Sequence, residues 1–188
     1  MKVTSGGQSG VDRGALDAAI ACGVEYGGWC PRGGWAEDFP QPPGLRVNYP
    51  RLIETPSADP AQRTEWNVRD ANAILIVVDE AGIAVSKGTT LAVGLTERYR
   101  RPTLIIDPNE PDALVRTTAW VAERRDAFGD AWVLSIGGPR ESEAPGIYAA
   151  RAAVPARCVA DRQFGLKHDP EKWEPGFGQD HAQTKARP

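Results

Sequence analysis

Cysteine, histidine and methionine are scarce in this chain: three, two and one among 188 residues. Cys22, Cys30 and Cys158 form neither an even disulfide set nor a metal-ligand spacing. That excludes a disulfide-stapled scaffold and points to a reducing, cytoplasmic setting. His168 and His181 have no cysteine near them, so no metal site is expected. No apolar run is long enough to cross a bilayer, and the N-terminus lacks the form of a signal peptide. The net charge of −3 gives no electrostatic reason to expect nucleic acid or an anionic membrane as partner. A nucleophile with a base and an orienting group is also missing. Asp12, Glu37 and Asp79 could supply paired carboxylates, but nothing in their spacing selects them. No catalytic residue is assigned, and binding is favoured over catalysis.

Glycine, by contrast, is concentrated where it matters. Ser5-Gly6-Gly7-Gln8-Ser9-Gly10-Val11-Asp12-Arg13 follows a short apolar start and opens a run of small and apolar residues at helical spacing. Three glycines in five positions let backbone approach a ligand closely, and the helix beyond them turns unpaired N–H groups toward the same space. This is the local chemistry of an anion site, most often for phosphate. It is not a Walker A loop, because no Gly-Lys-Ser/Thr follows, and Gly6, Gly7 and Gly10 miss the dinucleotide frame. A plain strand-to-helix turn remains the competing reading. Of the 22 basic residues 17 are arginine, the side chain better shaped for bidentate capture of phosphate or carboxylate.

Length suggests one domain over residues 1–155 and a tail over 156–188. Val3-Thr4 reads as a first strand and residues 11–22 as a helix, with Ser9 and Asp12 at capping-box spacing and Gly23 as its stop. Residues 24–56, rich in glycine and proline, read as a long irregular segment with one short strand near Trp29. A helix over 59–71 is opened by Asp59 and Pro60, and Glu65 and Arg69 are placed to pair at i, i+4. Ile74-Leu75-Ile76-Val77-Val78 is continuously apolar and mostly β-branched, as a strand covered on both faces should be. A helix from about Thr89 to Arg101 follows, with Leu91, Ala92, Leu95 and Tyr99 inward. Then come a strand over 103–106, a helix over 111–127, a strand over 132–136, and a last helix from Ala144 to Val154. The tail is charged, carries both histidines and has only Phe164, Trp173 and Phe177 as apolar anchors; it reads as loosely packed or docked on a neighbouring subunit.

Alternating buried strands and helices predict an α/β, Rossmann-like three-layer fold: a mainly parallel sheet of about five strands with helices on both faces. Ligands gather at the carboxyl edge of such sheets. Gly6-Gly7, Gly88-Thr89-Thr90 and Gly137-Gly138 would all lie there.

Taken together, Ser5 through Ala19, then Gly27-Gly28-Trp29-Cys30-Pro31-Arg32-Gly33, Ala36-Glu37-Asp38, Tyr49-Pro50, Glu54 through Asp59, Arg63-Thr64-Glu65-Trp66-Asn67-Val68-Arg69-Asp70, Gly138-Pro139-Arg140 and Ala144-Pro145-Gly146-Ile147-Tyr148 resemble the molybdenum cofactor carrier family. The resemblance runs in order over about residues 3–150. It implies a homo-oligomer, commonly a tetramer, that binds molybdopterin or a related phosphate-bearing ligand, with a molybdoenzyme as a partner that receives it. The wider group also holds cytokinin-activating phosphoribohydrolases and nucleotide-derived-ligand binders, so an enzyme acting on a nucleotide derivative, or a nucleotide-sensing module, is the alternative. Two departures stand out. Lys87 precedes a single Gly88 where the family tends to carry a second glycine-rich turn, and Ala92 stands where the phosphoribohydrolases carry their catalytic glutamate.

The candidate ligand contacts are Gly6, Gly7, Gln8, Ser9 and Gly10, with Gly88, Thr89 and Thr90 at the second turn and Arg140 after the last strand. Ser86 and Lys87 are weaker candidates for the same edge. Arg13 either reaches the anion or pairs with Asp17, and Asp12 either accepts from a pterin or ribose or caps its helix. Arg32, in a glycine-flanked loop, suits an acidic ligand. Trp66 reads as core or interface rather than a stacking platform, and Glu37 and Asp38 as solvated.

Overall fold

Strand Ala73–Val77 (β4) organises the sheet, and its five residues are all buried because both of its faces are covered. Ala73, Leu75 and Val77 point into a cluster with Val11, Ala15 and Ala19 of helix Val11–Ala21 (α1) and Ala113 and Val121 of helix Ala113–Phe128 (α4). Ile74 and Ile76 point the other way, with Val78, toward Val68 of helix Pro60–Asp70 (α2) and Leu95 of helix Lys87–Arg98 (α3). The period of two therefore sends alternate residues into two separate cores, one per sheet face. The structure, a computed structural model, describes residues 1–148.

The other strands are Lys2–Thr4 (β1), Glu25–Cys30 (β2), Leu52–Glu54 (β3), Thr103–Ile106 (β5) and Val133–Gly137 (β6). They run in the order β3-β2-β1-β6-β4-β5, and every neighbouring pair is parallel. The fold is the expected three-layer α/β architecture, with six strands rather than five. The extra pairing comes from the segment read as irregular. Gly27 and Gly28 dilute the β-branched signal in β2, yet Gly28 is required: φ is 125° and a Cβ there would stand 2.3 Å from the Ser5 carbonyl oxygen. β3 has only three residues and an exposed Ile53, too short for its period to stand out.

Helix ends follow their chemistry where local residues decide. Asp59 accepts from the Ala61 N–H at 2.9 Å and Ser86 Oγ from the Thr89 N–H at 3.2 Å. At α1 the expected capping box does not form. Gly10, with φ 75°, is the N-cap, while Ser9 and Asp12 are drawn into long-range bonds. The Glu65–Arg69 pair is likewise replaced: Glu65 accepts from Tyr99 Oη at 2.6 Å and Arg98 at 3.2 Å, joining α2 to α3. Leu91 is exposed because α3 buries a narrow stripe of Thr89, Leu95 and Thr96.

A third, smaller core of Leu16, Cys30, Ala36, Leu45, Tyr49 and Leu52 lies under the long β2–β3 connection. It folds that connection back onto the start of α1. The helix expected over Ala144 to Val154 lies largely, and the tail 156–188 wholly, outside the described residues. Among the described residues no helix is long and apolar enough to cross a membrane.

Candidate functional site

The order of the sheet reverses between β1 and β4, the switch at which open α/β sheets leave a crevice beyond their carboxyl edge. A cleft of about 60 Å³ opens there. Gln8 and Asp12 line it from the first loop and α1, Arg63 from α2, and Gly88 and Thr89 from the start of α3. Gly137, Gly138, Arg140 and Glu143 close it from the turn after β6. That volume holds a few water molecules and admits a group of phosphoryl size. An adjoining inner chamber of about 40 Å³ is lined by Gly6, Val68, Ile74, Ile76 and Ser135, and Asp12 and Arg63 border both spaces.

Asp12 and Arg63 form the partition. Arg63 Nη1 lies 3.0 Å from Asp12 Oδ2, with 15% and 5% of the two side chains exposed. Burial raises the Asp12 carboxyl above its ordinary range, an effect that the Arg63 charge and the Gln8 N–H only partly offset. The Arg63 guanidinium lies flat over Gly6: a Cβ on Gly6 would meet its Nη1 at 2.0 Å and its Cζ at 2.5 Å. Gly6 thus admits an arginine, not the ligand itself. Thr89, which also lines the cleft, is 2% exposed, and its Oγ1 has no hydrogen-bond partner among the described residues. Buried hydroxyls are normally satisfied, so this one, at the N-terminus of a twelve-residue helix, is a donor in reserve.

The expected site residues divide. Gly6, Gln8, Asp12, Gly88, Thr89 and Arg140 meet at the two spaces. Gln8 holds the Ser9 and Glu37 N–H groups on Oε1, at 3.1 and 2.9 Å, which leaves its NH₂ end for the cleft. Gly7 does not face the cleft. Its φ is 71° and a Cβ there would press on Leu45 and Leu52 at 3.0 Å, so its role is to let the loop cross the small core. Gly10 is held against the turn after β6, 2.6 Å from the Pro139 carbonyl oxygen to a built Cβ.

Arg13 takes neither expected role. Its guanidinium is bidentate on Asp38 at 2.9 and 3.0 Å, donates to the Gly7 carbonyl, and lies 5.0 Å from the Phe39 ring centre. Asp17 instead accepts from Tyr49 and Tyr148 at 2.6 and 2.9 Å. Arg32 is exposed and away from the cleft, its N–H donating to the Ser57 carbonyl. Thr90 Oγ1 donates within its own turn, to Ser86 and Ile83 carbonyls. Glu37 is not a solvated loop acid. It accepts from Ser9 Oγ, from Ser142 N at 3.3 Å and Ser142 Oγ at 2.6 Å, and lies 3.8 Å from Arg140 Nη1. Trp66 packs edge-on to Trp29 at 4.7 Å beneath Arg69, well removed from the cleft lining.

Arg63 and Glu143 were not singled out from the sequence. Both arrive from elements remote from the glycine loop, and neither carries a local signature. Among the described residues no three His, Cys, Asp or Glu side chains gather as a metal site.

Comparison with known proteins identifies the family. The family described as circularly permutated YpsA SLOG matches residues 3–159. A 1.45 Å crystal structure of a protein from Syntrophus aciditrophicus SB, described as "Putative molybdenum carrier protein", is 35% identical; the match covers 85% of this chain and 93% of that one, with a TM-score of 0.69. No curated protein matches the chain.

Proposed function

Because the chain belongs to the circularly permutated YpsA SLOG family, we propose that it is a small-molecule binding protein whose cleft takes the phosphoryl group of its ligand, and that the ligand is molybdopterin or a related phosphate-bearing compound. One observation carries the reading: Arg63 and Thr89, whose buried Oγ1 has no hydrogen-bond partner among the described residues, line the same small cleft. Arg63 spends one donor on Asp12 and keeps others for a second anion. Gly88 and Thr89 add the positive end of α3. The molybdenum link comes from the solved relative's description, and it gives the choice among phosphate-bearing ligands. The cleft fits the phosphate end of such a cofactor: the orphaned hydroxyl and the guanidinium are its natural partners. Arg63, Thr89, Gln8 and Arg140 would hold that end, and the cofactor would contribute the dithiolene chemistry that coordinates molybdenum. The chain's own work is to bind and orient the anion and to keep water from it. Assembly as a homo-oligomer and transfer to a molybdoenzyme belong to the same reading.

A second reading, turnover of a nucleotide derivative, is favoured by Asp12, a buried carboxyl with a raised pKa on the cleft wall. Against it, Ala92 lines the cleft at the position aligned with the phosphoribohydrolase glutamate. The test is to purify the protein, release what it holds, and identify it by mass and elemental analysis, with inorganic phosphate titrated into wild type and Arg63→Met. A released pterin or molybdenum, and phosphate affinity lowered about ten- to a hundredfold in the variant, support binding. Hydrolysis of nucleotides by the wild type supports the second reading.

A further inference from the structure

Glu37 and Asp38 sit at the tip of a tight turn in which Ala36 and Phe39 exchange hydrogen bonds of 3.2 and 3.0 Å. The turn reaches over to the segment after β6 and places the Glu37 carboxylate among Ser9 Oγ, the Ser142 N–H and Oγ, and the Arg140 guanidinium. Hydroxyl, backbone N–H and guanidinium donors converging on one point are what a phosphoryl group requires.

This donor set is held in place without Glu37. Ser9 Oγ is fixed by the Glu141 N–H at 3.1 Å. Arg140 is gripped by Glu143 through its backbone N–H at 3.2 Å and its Nε at 3.3 Å. The turn itself is closed by the Glu143 N–H on the Arg140 carbonyl at 3.0 Å and tied to α1 by the Val11 N–H on Pro139 at 3.3 Å. The seat also adjoins the cleft, because Arg140 belongs to both: it is a lining residue of the cleft, and its Nη1 lies 3.8 Å from the Glu37 carboxylate.

We propose that Glu37 is a tethered occupant of a second oxyanion seat, that the ligand carries two adjacent phosphoryl groups, and that the second displaces Glu37 from Ser9, Ser142 and Arg140 as the first enters the cleft. The inference rests on the phosphate-binding reading of the cleft. Displacement costs the carboxylate its hydrogen bonds, so the resident acid lowers affinity for a diphosphate and leaves a monophosphate nearly untouched.

Calorimetric titration of inorganic pyrophosphate and inorganic phosphate into the full chain, wild type and Glu37→Gln, decides it. Glutamine keeps an acceptor for Ser9 and Ser142 but carries no charge toward Arg140. The expected result is pyrophosphate bound about tenfold more tightly by Glu37→Gln, with phosphate affinity changed by less than about twofold. Glu37→Asp, which keeps the charge but withdraws it from the seat, gives the same gain and serves if the glutamine variant does not fold. A folded variant that binds pyrophosphate no better than wild type, while both bind phosphate, overturns the seat and leaves the cleft intact. Failure of wild type to bind either anion overturns the cleft reading, and this inference with it.

Discussion

Arg63 Nη1 and Asp12 Oδ2, 51 positions apart in sequence, meet at 3.0 Å in the wall of the cleft and tie the face of α2 to the first turn of α1. On the proposed phosphate-binding reading of the cleft, the pair brings a cation to the ligand together with a carboxylate that opposes an anion. Asp12→Asn removes that opposition while leaving an amide oxygen for Arg63. Phosphate affinity should rise about three- to tenfold, read by calorimetry, with the chain still folded by circular dichroism. If Asp12 acts in turnover instead, the same variant loses activity.

Two glycines on the cleft should respond differently to one methyl group. In Gly6→Ala the three atoms nearest the added carbon, Nη1, Cζ and Cδ, all belong to the flexible Arg63 side chain, which can swing away. That variant should fold and lose phosphate affinity to the level of Arg63→Met. In Gly138→Ala the methyl would stand 2.2 Å from the Val77 carbonyl oxygen and 2.8 Å from Val11 Cγ2, where the backbone cannot yield. Thermal unfolding should report a loss of about 1–3 kcal/mol or more.

Arg13→Ala should act on stability rather than on binding. Arg13 holds the Gly7 carbonyl and the half-exposed Asp38, and its guanidinium stacks over Phe39. Its removal unlatches the β2–β3 connection from α1, a loss of about 2–3 kcal/mol in denaturant melts. Phosphate affinity of the folded fraction should equal that of wild type. A variant of full stability with weakened phosphate binding would contradict this placement.

The Glu37 clamp sets an acid dependence. Burial pushes the Glu37 carboxyl up, but hydrogen bonds from Ser142 and Ser9 and the Arg140 charge outweigh it and hold the group below its ordinary 4.5. A carboxyl lowered on folding stabilises the native state fully above 4.5, and that contribution is lost as pH falls through the lowered value. The gap in Tm between wild type and Glu37→Gln should therefore be widest near neutral pH and close at acid pH. A gap that is flat with pH would remove the charged form of Glu37 from the clamp.

The parts of the fold that announce themselves in sequence are those decided by near neighbours. β4 is legible because five consecutive apolar residues can only be a strand covered twice, and α2 because Asp59 and Pro60 satisfy its start locally. β2 is obscured because the requirement at Gly28, close passage beside Ser5, suppresses the side chains that mark a strand. The site is legible in the same proportion. The turn at Gly88 and Thr89 reads correctly as a helix start on the carboxyl edge, since capping is local. Arg63 reaches the cleft from a helix whose own pattern says only that it is amphipathic. Arg13 and Glu37 have partners 25 and 28 positions away, so spacing along the chain carries no information about them.

The place of β6 bears on how the molecule comes into being. It is the last strand among the described residues, yet it lies between β1 and β4 and supplies every ladder that joins β3-β2-β1 to β4-β5. At ribosomal speeds of about 5–20 residues per second, the 27 residues from Ile106 at the end of β5 to Val133 take roughly 1–5 seconds to appear. During that interval the nascent chain holds two half-sheets with open edges. Leu134, Ser135 and Ile136 then insert as a keystone, and Gly137 through Glu143 arrive with them. The wall of the cleft that follows β6 is thus the last to be made, and the cleft is assembled as the sheet becomes continuous.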